Sequence, residues 1–116
     1  MGGIDLLNQV VLVGRLTSDL EIKETESGKK LSTMTLAVQR SYKNVDGEYE
    51  ADFVDIVIWD LVAENTVEFC RKGDLVGIRG RIQTSTYEAD DGTKRKVTEV
   101  IADRVSFLSS KKENNE

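Results

Sequence analysis

Through most of this 116-residue chain, apolar residues recur at every second position, and the period turns helical only once. Strict alternation marks strands that are half buried. Val10-Val11-Leu12-Val13-Gly14-Arg15-Leu16-Thr17 is rich in β-branched residues, and its one glycine predicts a bulge or sharp bend. From Leu31 to Arg40, Met34, Leu36 and Val38 share one face and Thr33, Thr35 and Ala37 the other. The polar stretch Asn44-Val45-Asp46-Gly47-Glu48 carries an Asp-Gly turn signal. Phe53 to Trp59 reads as a third strand. Leu61, Val62, Asn65 and Phe69, with Ala63 and Glu68, then predict an amphipathic helix of about two turns, ended by Arg71-Lys72-Gly73. A long hairpin follows: Leu75 through Tyr87, a turn at Asp90-Asp91-Gly92-Thr93, and a return from Lys94 to Ala102. A short apolar piece, Val105 to Leu108, closes the domain.

Three strands, a short helix and a two-stranded hairpin fit an all-β, five-stranded Greek-key barrel. The helix lies between strands three and four and the hairpins are extended, which is the OB-fold; another small β-barrel is the rival. The length suits one domain, residues 8–108. Residues 1–7 read as a leader with no assigned role, and 109–116 as a short, polar, disordered tail.

Missing residue types restrict the chemistry. Histidine is absent and Cys70 is the only cysteine, so His-based metal sites, Ser-His-Asp triads, Cys-His pairs and intrachain disulfides are out of reach. Cys70 reads as a small buried hydrophobe on the helix. Carboxylates are scattered and there is no Gly-rich phosphate loop, so the expectation is no enzyme, no metal and no cofactor. No apolar run approaches the ~20 residues of a membrane span, and no secretory signal is visible. A chain without disulfides suits a reducing cytoplasm. The net charge of -5 argues, at face value, against a nucleic-acid partner.

The faces of the strands argue otherwise. On the third strand Val54, Ile56 and Ile58 form the core stripe, while the opposite face holds Phe53, Asp55, Val57 and Trp59. Its two rings lie about 20 Å apart at roughly 3.3 Å per residue. On the fourth strand Val76, Ile78 and Ile82 read as inward, with Arg79, Arg81 and Tyr87 outward. Arg40, Tyr42 and Lys43 end the second strand, and Lys94-Arg95-Lys96 follows the last turn. Binding a single strand without regard to sequence needs this interleaving: rings stack on bases and cations follow phosphates.

These residues resemble the bacterial-type single-stranded DNA-binding protein family over roughly Leu7 to Leu108. The likeness is carried by Leu7-Asn8-Gln9-Val10-Val11-Leu12-Val13-Gly14-Arg15-Leu16-Thr17, Ala51-Asp52-Phe53, Val57-Ile58-Trp59 with Ala63-Glu64-Asn65, Arg71-Lys72-Gly73, Gly80-Arg81-Ile82-Gln83-Thr84 and Val97-Thr98-Glu99-Val100. The resemblance implies an OB-fold homotetramer that wraps single-stranded DNA in replication, recombination and repair. Its stacking aromatics fall on Tyr42, Phe53, Trp59 and Tyr87. Phosphates would be met by Arg15, Arg40, Lys43, Lys72, Arg79, Arg81, Lys94, Arg95 and Lys96. Tyr49 sits in a hairpin where a DNA contact is open; Phe69 and Phe107 fit core or interface positions.

Three departures stand out. Asp60 and Leu61 follow the strand-three aromatic where many members carry a neutral or basic residue and then lysine. Asp55 lies between the two rings. The acidic-hydrophobic tip that recruits replication and repair partners is missing from Ser109 to Glu116, so such recruitment is not expected. Two readings compete with the main one: an OB-fold protein-interaction module of primosome type or phage origin, and an RNA-binding OB domain. The expected location is the cytoplasm of a bacterial or phage-infected cell, at the nucleoid. The tail contributes two lysines and two glutamates, so the negative charge belongs to the barrel. Asp19, Glu21, Glu24 and Glu26 stand apart in sequence from the aromatic-basic clusters, and phosphates respond to the field within about a Debye length.

Overall fold

The computed structural model describes residues 7–110; the leader residues 1–6 and tail residues 111–116 lie outside the described residues. The elements run β1 (Val10–Leu16), β2 (Lys23–Glu24), β3 (Lys30–Lys43), β4 (Tyr49–Trp59), α1 (Asp60–Phe69), β5 (Leu75–Glu88) and β6 (Lys94–Ser109). The sheet order is β1-β5-β6-β4-β3, and β1 also pairs with β3, closing five strands into a barrel, with β2 appended to β3. Closure is made by Arg15 opposite Ala37 and Leu16 opposite Leu36. One seam is parallel, Ile56 to Ile58 of β4 beside Val100 to Ala102 of β6. This is the OB-type barrel read from the alternation, with its helix between the third and fourth barrel strands.

The core collects the inward stripes: Leu16, Met34, Leu36, Ile56, Ile58, Val76, Ile78, Val100 and Ala102, with Ala63 of α1 and Cys70 just past it. Burial pushes the Cys70 thiol up, away from the reactive thiolate. Two glycines allow the strands to close. A Cβ on Gly14 would lie 2.5 Å from the carbonyl oxygen of Ala37, and one on Gly80 would run into the backbone of Ile101. The β1–β5 register runs through Gly14 without a shift, so the glycine marks the close approach of β3, with which Arg15 and Leu16 pair, and not the expected bulge.

Two elements differ from the sequence reading. β2 is an extra strand, only two residues long. β6 runs without a break to Ser109, so the closing apolar piece belongs to it and Ser109 is strand, not tail. A bulge hides that continuity: Arg79 faces Arg104 but Gly80 faces Ala102, which leaves Asp103 as an extra residue of β6.

Several residues also sit in surroundings the alternation did not foresee. Ile82, read as inward, is 46% exposed because β5 has left the barrel there. Val57, on the outward stripe, is 6% exposed between its neighbours Thr33 and Ile101. Phe69 and Phe107 are not core: both are exposed and line one shallow cleft with Asn65, Thr66, Cys70 and Val105.

The helix stop works as its composition implies. Arg71 donates to the carbonyls of Val67, Glu68 and Cys70, each at 3.0 Å, satisfying helix-end acceptors that have no partner within the helix. Gly73 then takes φ +92°.

Candidate nucleic-acid interface

The registers decide which side chains share the outer surface. Phe53 pairs with Ala37, and Ala37 with Arg15, so these three form one row across β4, β3 and β1. Trp59 pairs with Leu31. Val57 faces Ile101, and Ile101 faces Arg81, which puts Arg81 on the surface that carries Phe53 and Trp59. Both register shifts of the β5–β6 pair insert their extra residue in β6, so alternation along β5 runs unbroken from Arg79 through Arg81 to Tyr87. Arg95 faces Tyr87 and joins the same surface. Phe53 is 68% exposed, since its neighbour Ala37 is too small to cover it; Tyr87 is also exposed.

Trp59 is held differently. It is both the last residue of β4 and the N-cap of α1, with extended backbone (φ -122°, ψ 148°), and its ring is half-buried. Asp60 beyond it takes φ 52°, a left-handed conformation that aspartate tolerates better than most residues, and its carboxylate accepts the Lys30 N–H at 3.4 Å. Asp60 therefore shapes the strand-to-helix corner.

The cations divide into groups. Arg81, Lys72, Lys94 and Lys96 form no ion pair among the described residues. Lys94 and Lys96 face Glu88 and Thr86, on the reverse of the hairpin from Arg95, so the basic run is split between two faces. Arg95 lies 3.5 Å from Asp91, and Arg79 lies 3.4 Å from the bulged Asp103. Arg15 donates to the Gly73 carbonyl at 3.0 Å. The Lys43 ammonium stands 5.7 Å from the centre of the Tyr49 ring, within cation–π range. Arg40 is the most committed, bound to both Asp52 and Glu50.

Against this geometry the comparisons are clear. The model of the single-strand binding protein family matches residues 7–108. The single-stranded DNA-binding protein B of Bacillus subtilis is 51% identical over 106 residues, covering 91% of this chain and 94% of that protein. The single-stranded DNA-binding protein of Clostridium tetani is 53% identical over 103 residues, 88% of this chain and 70% of its own length. The chain belongs to the single-strand binding protein family.

This member of the family carries carboxylates on the strand that bears Phe53 and Trp59 and on its neighbour β6. A cleft of about 320 Å³ is lined by Ser18, Thr33, Thr35, Asp55 and Glu99 with Met34 and Ile56. Thr35 donates to Asp55 at 3.3 Å, tying one carboxylate down in the middle of the outer surface. Glu99 is a residue the strand reading passed over; its position two before Ile101 on β6 was the available signal. Also passed over was Asn8, whose side chain donates to the Ile82 carbonyl and accepts its N–H, both at 2.8 Å, continuing the β1–β5 pairing beyond Val10. No helix among the described residues is long and apolar enough to cross a membrane.

Proposed function

We propose that this chain binds single-stranded DNA without sequence preference and serves DNA replication, recombination and repair as a binding protein, not a catalyst. The observation that carries the reading is the pairing of an exposed Phe53 with Trp59 on one barrel surface that also bears Arg81, Tyr87 and Arg95. Rings accept base stacking worth ~1–3 kcal/mol per base, and cations neutralise phosphates. Tyr42 and Tyr87 extend the stacking path onto the two hairpins, and residues 8–108 are the binding domain. Lys43, Lys72, Arg79, Arg81, Arg95 and Arg15 are the phosphate contacts; Lys94 and Lys96 meet the strand on the reverse side of the hairpin. The central carboxylates turn the phosphates outward and leave bases toward the protein.

Because Trp59 is the only tryptophan, an oligo-dT titration reads the site directly. Its fluorescence is expected to be quenched, and the affinity to fall as salt rises through counterion release. Trp59→Ala, which removes the fluorophore and is therefore followed by gel shift of a labelled oligo-dT, is expected to weaken binding about tenfold, within the stacking range above. Folded protein whose tryptophan is unmoved by oligo-dT at low salt would overturn the reading. Tighter binding to an equal-length RNA homopolymer would redirect it to RNA.

Assembly as a homotetramer is part of the proposal. On the side away from β5, β1 is paired only at Arg15 and Leu16, so Val10 to Gly14 present an open edge with Val11 and Val13 exposed. Open apolar edges invite strand pairing with another chain. Sedimentation giving a monomer at micromolar concentration overturns this part alone. The relatives come from bacteria, and the bacterial cytoplasm, at the nucleoid, is the proposed location.

A further inference from the structure

Backbone pairing does not fix the direction of Tyr42. Between Gln39 and Lys43 strand β3 advances four residues while β4 advances two, from Ala51 to Tyr49, and Tyr42 lies inside that bulge, 64% exposed. What spans the bulge is Arg40. Its Nε and Nη2 donate to Asp52 Oδ1 at 3.1 and 2.8 Å, and its Nη1 donates to Glu50 Oε1 at 3.0 Å. All three guanidinium nitrogens are therefore held by β4. Asn44 extends the network, donating to Glu50 Oε2 at 3.1 Å. The Asn44 Oδ1 accepts the Asp46 and Glu48 N–H groups at 2.9 and 3.0 Å, which ties the network to the loop. Alternation from the Val38–Asp52 pair puts Asp52 and Glu50 on the face opposite Phe53. Tyr42 follows Arg40 by two residues, and both lie inside the same bulge between Gln39 and Lys43.

We propose that Arg40 is a positioning residue: with Asp52, Glu50 and Asn44 it fixes the β3 bulge and so aims the Tyr42 ring at a base, rather than contacting phosphate. The inference rests on the single-strand-binding reading of Tyr42. It assigns Asp52 and Glu50, two acids beside a polyanion site, a supporting role in binding.

The charge sign makes the test sharp. Taking a negative charge away from a phosphate-binding protein ordinarily tightens binding, because repulsion falls and a cation is freed. If Arg40 positions Tyr42, then Asp52→Asn and Glu50→Gln instead weaken oligo-dT binding, each about threefold to tenfold in the Trp59 titration. Arg40→Ala weakens it similarly while leaving the slope of log affinity against log salt unchanged, since no phosphate contact is lost. In a Tyr42→Ala background none of these changes costs anything further, the mark of residues acting through one another.

Asp52→Asn and Glu50→Gln keep shape, so loss of fold does not cloud the outcome; circular dichroism on each variant checks this. Tighter or unchanged binding by Asp52→Asn, or a shallower salt slope for Arg40→Ala, overturns the proposal. Wild-type protein that binds no oligo-dT overturns the underlying reading instead.

Discussion

At Gly80 and Gly77, two glycines in one strand, the same change has consequences of very different size. A Cβ on Gly80 would strike the backbone of Ile101, whereas one on Gly77 would rest 3.8 Å from the Leu108 side chain. Gly80→Ala is expected to cost about 4 kcal/mol or more, the range of overpacking against immovable main chain. Gly77→Ala stays within about 1 kcal/mol, and urea unfolding midpoints compare the two.

Asp52 makes a pH prediction at the same scale. Its bond to Arg40 holds the carboxyl below the usual aspartate range. A carboxylate depressed in the folded state stabilises above its unfolded value, about 3.9, and loses that effect as pH falls through the folded value. The melting temperature of wild type should therefore exceed that of Asp52→Asn at pH 7, with the gap closing below about pH 4.

Single residues were the most readable part of the sequence. Phe53, Arg79, Arg81 and Tyr87 stand on the expected surface because period-two alternation survives along β4 and β5. Arg40 and the Lys94 to Lys96 run were less readable, because a guanidinium's partners and a hairpin's two faces depend on which strand lies opposite.

Turns repeat one design at the scale of elements. In Thr25 to Lys29, Asn44 to Glu48 and Ala89 to Thr93, the first N–H donates to the last carbonyl and the fourth to the first carbonyl. The fourth residue is always a glycine, with φ of +88°, +80° and +85° at Gly28, Gly47 and Gly92. Only glycine adopts that conformation without steric cost. Each glycine-to-alanine change should cost about 1 kcal/mol, and all three similarly, since nothing lies within 4 Å of the added carbon. Thermal melts of the three variants check the equality.

Two of these turns announced themselves as Asp-Gly. The third, Ser27-Gly28, has the same form but leads out of a two-residue strand, too short to show any period. The break read between Ala102 and Val105 has a different origin. The bulge at Asp103 shifts the phase by one, so a continuous strand looks like two.

For the whole molecule, the negative charge that seemed to exclude nucleic acid has a structural address. Part of it sits in ion pairs, Arg40 with Asp52 and Glu50, Arg79 with Asp103, Arg95 with Asp91 and Lys30 with Glu64. Part, Asp55 and Glu99, lines the cleft beside Thr33 and Thr35. A net sum cannot see that separation, whereas the strand faces show it. Such pairing leaves little surplus field for steering, so the salt sensitivity expected in the oligo-dT titration belongs to the molecule as a whole.

The parallel seam between β4 and β6 has a temporal consequence. Its partners, Ile56 with Val100 and Ile58 with Ala102, are brought together from the middle and the end of the chain. Contacts that distant in sequence delay closure, because the intervening loop must be ordered before they reward it. A nascent chain leaving the ribosome cannot close this barrel until its last strand has emerged. Until then β4 and β5 each expose an edge that awaits β6. A chain stopped at Lys94 is therefore expected to bind a hydrophobic dye, aggregate and show no cooperative melt. A sharp melting transition in that truncated chain would show that the barrel closes without its final strand.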